Sequence, residues 1–191
     1  MTTMVLARGT FGRKGANFPA WVNLLALIAW SWIQALLAGM SLDYAVESFT
    51  GYSNVALFTV ICESLVVLIA LRGHLGIEKV EKIAALLMLG LSAVVLFALN
   101  RHYDPTTLLS GFGFGLPAAL VIFFSVLTTN VMCVYSATLS FMSVRPKVPF
   151  WKPALIIGVV SVVGALIPGI LDQFQTFLLI IGSVFIPAFS L

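Results

Sequence analysis

The sequence predicts an all-α fold: a polytopic membrane bundle of six transmembrane helices, forming a single transmembrane domain over residues 1–191. Two observations lead to this prediction, the apolar composition of the chain and the placement of its basic residues. With 61% hydrophobic and 9% charged residues, the chain has too few polar side chains to cover a soluble globule of this length.

Six apolar runs supply the predicted helices. A helix needs about 20 mostly apolar residues to cross the hydrocarbon core of a bilayer. The third run is short enough to need little tilt, and the fourth is long enough to tilt or to break. In order, the runs lie near residues 20–40, 54–71, 83–99, 115–143, 154–171 and 174–190.

The basic residues orient these helices. Nine of the ten Lys and Arg residues fall in alternate gaps between the runs. Short cytoplasmic loops carry the excess of Lys and Arg, so we expect a multi-pass protein of the cell (inner or plasma) membrane with both termini in the cytoplasm. We interpret the nine basic residues as contacts with the lipid bilayer, and we expect no binding of nucleic acid. They are Arg8, Arg13, Lys14, Arg72, Lys79, Lys82, Arg145, Lys147 and Lys152.

The expected loops are short. Residues 41–53 and 100–114 are placed outside, and residues 72–82 and 144–153 inside. Opposite charges at helical spacing between Gly76 and Lys82 predict that this inner stretch begins the third helix or forms a short surface helix.

Glu63 lies near the middle of the second run and is the only ionisable residue expected near mid-membrane. A carboxyl at that depth indicates a proton carrier or a counter-charge. The alternative is a protonated or hydrogen-bonded glutamate between helices. Both interpretations stay open at this point.

Asn23, Trp30 and Gln34 fall within roughly 20° of one line along the first helix, at about 100° per residue. A planar heterocycle could stack on Trp30 and pair with the Gln34 amide. The alternative is that Gln34 bonds a neighbouring helix and Trp30 packs against lipid.

In the fourth run, Ser125, Thr128 and Thr129 place three hydroxyls on one helix face. Hydroxyl oxygens suit a hard monovalent cation. Alternatively, they bond carbonyls of their own helix or hold helices together. Asn130 points about 140° away from Ser125.

Nothing in the chain indicates an enzyme, and we predict no catalytic residue. The predicted spans hold no His, no G-x-S-x-G motif and no D-x-x-D pair. Cys62 and Cys133 lie in spans as small buried hydrophobes, and the two histidines lie on opposite sides of the membrane.

Two motifs resemble those of the nucleobase–cation symport family, which includes cytosine, uracil, allantoin and hydantoin permeases. The family pattern is R-x-x-F-G-x-x-G, a Pro, then W-F-G-x-Q in its third helix. Here Arg8–Gly15 is followed by Pro19 and by Trp30-Ser31-Trp32-Ile33-Gln34. Ser125-Val126-Leu127-Thr128-Thr129-Asn130 likewise resembles the T-T-N stretch of the family's eighth helix.

The resemblance implies part of a LeuT-like inverted-repeat transporter. Residues 1–99 resemble the family's third to fifth helices, and residues 115–187 its eighth to tenth. The first two helices, the sixth and seventh, and the end of the tenth onward have no counterpart. The missing first and sixth helices are those that are broken at mid-membrane and complete the family's site.

The same resemblance implies residue roles. Trp30 would stack on the heterocycle, Gln34 would hydrogen-bond it and Asn130 would border the site. Ser125, Thr128 and Thr129 would bind sodium, with no other cofactor expected. Trp32 departs from the family, which has Gly there, and Glu63 matches no functional position of the family.

The expected function is secondary-active transport of a nucleobase or related planar heterocycle, coupled to sodium or protons. We expect a fragment or deleted form without uptake above the empty-vector level. The alternatives are a six-helix substrate-binding membrane component that needs a partner, and a ligand-free helix-packing membrane protein. If a site survives, the Trp30–Gln34 face should approach the Ser125–Thr129 face across a polar cavity.

Overall fold

A computed structural model describes residues 17–101 and 115–167, with isolated positions at 12, 15, 169, 173, 176, 179, 180 and 183. In this part of the chain every regular element is an α-helix, which confirms the predicted all-α class. There are five: α1 Asn17–Thr50, α2 Val55–Leu71, α3 Gly73–Arg101, α4 Gly115–Val144 and α5 Trp151–Ala165. Most of the Arg8–Gly15 motif, most of the outer loop 100–114 and most of the sixth run 174–190 lie outside the described residues.

Two of the described helices are long and apolar enough to cross a membrane: Asn17–Thr50 and, within α4, Ala118–Val144. Helices α2 and α5 are apolar but shorter. Large apolar side chains on several helices are exposed, among them Leu25, Leu68, Leu86 and Val159. Exposed apolar surface on this scale is typical of a membrane or protein contact.

Helix α1 is longer than the first apolar run. The run ends at residue 40, but the helix continues to Thr50, so most of the expected outer loop 41–53 is helical. Buried Asp43 accounts for the extension, because its carboxylate accepts hydrogen bonds from Ser53 Oγ (2.8 Å) and the Asn54 amide (2.6 Å). These bonds fix the turn to the last turns of α1. Asn54 then caps α2 by accepting from the Leu57 amide at 3.0 Å.

The inner stretch 72–82 begins the third helix, which was one of the two predicted outcomes, and it does not form a separate surface helix. Gly73, with φ of 70°, separates α2 from α3 in the left-handed conformation that favours glycine. Within the first turns of α3, Lys82 Nζ forms an ion pair with Glu78 Oε1 at 2.7 Å. This exposed pair shows a solvated helix face.

Helix α1 contacts α2, α4 and α5, and its contact with α4 is the most extensive in the described bundle. Close approaches are made at glycines: a Cβ at Gly39 would overlap Thr59 of α2, and one at Gly164 of α5 would overlap the Trp32 ring. The buried core is formed by Leu24, Val66, Ala70, Ile77, Leu127, Val131, Val134, Ala137 and Ile157. Polar side chains at the middle of α1 are therefore enclosed by neighbouring helices.

Candidate substrate and proton site

A chain of hydrogen bonds joins three helices at the centre of the bundle. Ser31 Oγ of α1 donates to Asn130 Oδ1 of α4 at 2.6 Å, and Asn130 Nδ2 donates to Glu63 Oε2 of α2 at 2.6 Å. All three residues are completely buried. We call this set the Ser31–Asn130–Glu63 chain.

Small residues bring the helices close enough for these bonds. Ser31, Ala35 and Ala38 stand at i, i+4 and i+7 on α1 and are buried together. On α4, Asn130 shares a buried face with Ala137, which lies about two turns later. Small side chains at such spacings let two helix backbones approach closely, so that short polar groups reach across.

Glu63 is satisfied on one oxygen only. Its Oε1 has no hydrogen-bond partner among the described residues, and no salt bridge in that part of the chain involves it. Glu63 also lies in the wall of a cavity of about 480 Å³ between α2 and α5. The other polar side chain there, Ser64, donates its hydroxyl to the Val60 carbonyl. The wall of this cavity is otherwise apolar.

Trp30, Gln34 and Asn130 lie at one level of the α1–α4 contact. Ser31 directly follows Trp30 and precedes Gln34 by three residues, so its bond to Asn130 sets the Asn130 amide within one helical turn of both residues along α1. Trp30 is half-buried, whereas Gln34 is 7% exposed and its Oε1 has no partner among the described residues. The three residues predicted to bind substrate therefore lie at a similar height in the bundle, and the Gln34 amide oxygen is unused among the described residues.

Asn23, which lies along the same side of α1 as Trp30 and Gln34, has a cross-helix hydrogen bond. Its Nδ2 donates to Ser140 Oγ of α4 at 2.8 Å. That bond joins α1 to α4 slightly more than two turns of α1 before the Ser31–Asn130 bond. Asn23 is therefore part of the helix contact.

Of the three residues expected to bind sodium, Thr128 and Thr129 are turned towards α3, and Ser125 does not line the cavity there. Thr128 Oγ1 donates to the Phe124 and Ser125 carbonyls at 2.8 and 3.0 Å, and Thr129 Oγ1 to the Ser125 carbonyl at 2.8 Å. Thr128 and Thr129 line a cavity of about 280 Å³ with Glu81 of α3, and Thr129 is exposed. The expected common cavity with Trp30 and Gln34 is not found among the described residues.

Helix geometry accounts for this difference. Thr129 and Thr128 precede Asn130 by one and two residues, which turns them about 100° and 200° around α4. When Asn130 faces α1, these two hydroxyls must face away from it. A hard cation is bound by oxygen atoms, and the cavity wall offers the two hydroxyls and the Glu81 carboxylate.

Trp32, which stands where the resembled family has Gly, packs against a glycine of another helix. A Cβ at Gly164 of α5 would overlap its indole ring. The indole Nε1 is buried without a hydrogen-bond partner in the described part of the chain. The absence of a side chain at Gly164 thus makes room for the large ring.

Ser31 is the site residue that sequence reasoning missed. The sequence signal that could have revealed it is the spacing of the small residues Ser31, Ala35 and Ala38 at i, i+4 and i+7. Small residues at this spacing mark the side of a helix that meets another helix.

Comparison of the chain with known protein families, with curated proteins and with solved structures found no match.

Proposed function

We propose that this protein is a permease-type component for a nucleobase or related planar heterocycle, in a secondary-active transport system coupled to sodium or protons. The observation that carries the proposal is the Ser31–Asn130 bond, which sets Asn130 at the height of Trp30 and Gln34 along α1. The motif resemblance assigns substrate contact to the same three residues.

The chemistry of this level suits a flat, N–H-bearing ring. The Trp30 ring offers a stacking surface, and the unpartnered Gln34 Oε1 is an acceptor for a ring N–H. Asn130, bonded at both ends of its amide, borders the ligand. A site built to hydrogen-bond its ligand discriminates strongly against analogues that lack the matching group.

The magnitudes indicate that the described contacts are insufficient for tight binding. Stacking of a base on an aromatic ring contributes about 1–3 kcal/mol, and one hydrogen bond adds about 1 kcal/mol. Micromolar affinity requires about 8 kcal/mol. Further contacts must come from groups other than these residues, which supports our expectation of no uptake by this chain alone.

We assign the sodium site, as part of the same proposal, to Ser125, Thr128 and Thr129. Its support is the cavity between α3 and α4, where Thr128, Thr129 and Glu81 supply the oxygen atoms of an otherwise apolar wall. Ser125 comes from the motif resemblance alone. Glu81, which the sequence analysis did not include, would add the negative charge that three neutral hydroxyls lack.

The proposed arrangement in the cell (inner or plasma) membrane has six spans and both termini in the cytoplasm. Single cysteines test it in a chain whose Cys62 and Cys133 are replaced by alanine. Tyr52→Cys lies in the turn placed outside and Lys147→Cys in the turn placed inside. A membrane-impermeant maleimide on intact cells should label only the first, and labelling of both turns would contradict the topology.

Ligand binding is tested with the purified chain in lipid nanodiscs and labelled cytosine, uracil, allantoin and hydantoin. We expect weak saturable binding of at least one compound, lowered at least tenfold in affinity by Trp30→Leu and by Gln34→Ala. Trp21→Leu is the matched control, because Trp21 is exposed and packs edge-on against Phe141.

Equal loss in Trp30→Leu and Trp21→Leu would show that the effect is structural. Saturable uptake above the vector level by cells expressing the chain would contradict the need for further helices. The absence of binding by all four compounds would refute the proposed substrate class.

A further inference from the structure

We propose that the Ser31–Asn130–Glu63 chain is a proton site, in which Glu63 takes up and releases one proton and Asn130 passes this change to Ser31. The use of the proton for coupling rests on the proposed function, whereas proton binding itself does not. The inference starts from three observations: the complete burial of the carboxyl, its single donor and its unpartnered Oε1.

The carboxyl needs a compensating positive charge or a proton. Burying an ionised carboxylate without a partner costs far more than burying a neutral hydrogen-bonding group. Here the carboxylate receives one hydrogen bond from a neutral amide, and no salt bridge in the described part of the chain involves it. The described residues thus leave its charge uncompensated.

A proton fits this place better than a metal ion. A hard metal ion needs several oxygen ligands, but Asn130 presents an N–H₂ group to Glu63 and the neighbouring cavity wall is largely apolar. The cavity of about 480 Å³ has room for several water molecules, since one occupies about 30 Å³ in the liquid. Water there could deliver the proton.

Other ionisable groups do not offer an alternative partner in the described structure. The buried thiols of Cys62 in α2 and Cys133 in α4 are the titratable groups that interact with Glu63. The remaining charged residues of α1, α3 and α5 lie within about three turns of a helix end, and α4 has none. They are Asp43 and Glu47 in α1, Glu78, Lys79, Glu81, Lys82 and Arg101 in α3, and Lys152 in α5.

The three residues can form the chain in two directions. In the observed direction Ser31 donates to Asn130, which donates to ionised Glu63. When Glu63 gains a proton, its O–H can donate to Asn130 Oδ1, and the turned-over amide can donate Nδ2–H to Ser31 Oγ. Both directions satisfy the amide, because a hydroxyl and a carboxylic acid can each donate and accept. The Ser31 hydroxyl hydrogen then turns to the Leu27 carbonyl, the acceptor one helical turn earlier.

This reversal reaches the proposed substrate level. Ser31 lies next to Trp30 and one turn from Gln34, so a change in its hydrogen bonding alters the polar groups beside the heterocycle. No covalent bond other than the carboxyl O–H forms or breaks. Proton binding and heterocycle binding are therefore coupled, and by thermodynamic linkage each changes the affinity for the other by the same factor.

Infrared spectroscopy of the full chain in nanodiscs tests the proton site without any substrate. From about pH 5 to about pH 9 we expect a C=O band of a protonated carboxyl that disappears as the pH rises. It should be absent in Glu63→Gln and retained in the matched control Glu47→Gln, since Glu47 is exposed near the end of α1. In Asn130→Leu the midpoint should rise by about one pH unit, a tenfold change. Both forms lose their bond to Asn130, but the charge-assisted bond of the ionised form is the stronger one.

A second measurement uses the unmodified chain, so that the proton site can be tested even if the variants fail to fold. Dicyclohexylcarbodiimide reacts with protonated carboxyls in apolar surroundings by adding the acid across its C=N bond. Mass spectrometry of the unmodified sequence should locate the adduct at Glu63, with a yield that falls as the pH rises.

The proton site is overturned if no carboxyl band depends on Glu63, or if the band and the adduct yield are constant over this range. An unchanged midpoint in Asn130→Leu would overturn the relay. Addition of a heterocycle should shift the midpoint in the unmodified chain and not in Trp30→Leu. A titrating Glu63 with no heterocycle binding would support the proton site while refuting the proposed function.

Discussion

The two sides of α4 satisfy their polar groups in different ways. On the side that faces α1, Asn130 is completely buried and bonds residues of two other helices. On the side that faces α3, Thr128 and Thr129 donate to carbonyls of their own helix and line a cavity. The residues are adjacent in the sequence, but only Asn130 joins neighbouring helices.

This difference separates polar residues that specify a helix contact from those that merely tolerate an apolar environment. A threonine bonded to its own helix is satisfied whatever lies beside it. An asparagine bonded across helices is satisfied only when both partners are in place. Cross-helix bonds in membranes contribute about 0.6 kcal/mol on average and up to about 1.7 kcal/mol. The destabilisation on breaking one therefore comes largely from the polar groups that are left unpaired.

The largest effect is expected for Asn130→Leu. The substitution removes both bonds of the buried amide and leaves Glu63 and Ser31 unsatisfied, at about 1–3 kcal/mol for each orphaned group. We expect a loss of about 3 kcal/mol in the free energy of unfolding, measured by denaturant titration in detergent. Asn23→Leu is the control, because it removes a single, partly buried bond and should cost about 1 kcal/mol. Equal losses would abolish the distinction between the two asparagines.

A matched pair of Ala→Leu substitutions compares the packing of the two sides. Ala137 of α4 is completely buried on the α1 side, whereas exposed Ala85 of α3 lines the cavity beside Thr128. Overpacking a filled contact costs about 1–3 kcal/mol, so Ala137→Leu should lower stability by about 2 kcal/mol. Ala85→Leu should change it by less than about 0.5 kcal/mol.

The opposite order would show that the α3 side is the tightly packed one. Both variants are measured by the same denaturant titration, so that the comparison does not depend on the detergent.

The helix class could be predicted from apolar runs, but helix ends could not. The second and fourth runs match α2 and α4 to within one residue at each end. The first and third runs are shorter than their helices, because hydropathy marks where apolar residues stop. Asp43 holds the polar end of α1 through Ser53 and Asn54, and such bonds leave no signal in hydropathy.

For the site, the sequence identified Glu63, Gln34 and Asn130 as polar residues that need internal partners. Which residues pair could not be predicted, because this depends on how α1, α2 and α4 are rotated against one another. The 140° offset of Asn130 from Ser125 already separated the amide from the hydroxyls. The expectation of a shared cavity overlooked that offset, and the structure places the two groups on different sides of α4.

Ser31→Ala should lower the stability by less than Asn130→Leu or Ala137→Leu. It removes the donor to Asn130 Oδ1 and leaves Asn130 bonded to Glu63. We expect a loss of about 1 kcal/mol in the free energy of unfolding. Ser64→Ala is the control, since the exposed Ser64 hydroxyl donates only to the Val60 carbonyl, and it should be nearly neutral. A loss in Ser31→Ala no greater than in the control would mean that the bond to Asn130 contributes nothing to the α1–α4 contact.

The smallest change in stability, and the sharpest test of the α3 side, comes from Thr129→Val. The exchange keeps the shape of the side chain and removes a hydroxyl that bonds only its own helix, so we expect less than about 0.5 kcal/mol. If the hydroxyls bind sodium, the unmodified chain should unfold at a higher temperature in sodium chloride than in potassium chloride, since a ligand of the folded state stabilises it. Thr129→Val should lose that difference. Thr138→Val, which removes a hydroxyl with the same local bond on a completely buried residue, should keep it. A sodium effect that persists in Thr129→Val, or that disappears equally in both variants, would remove the sodium site from this side of α4.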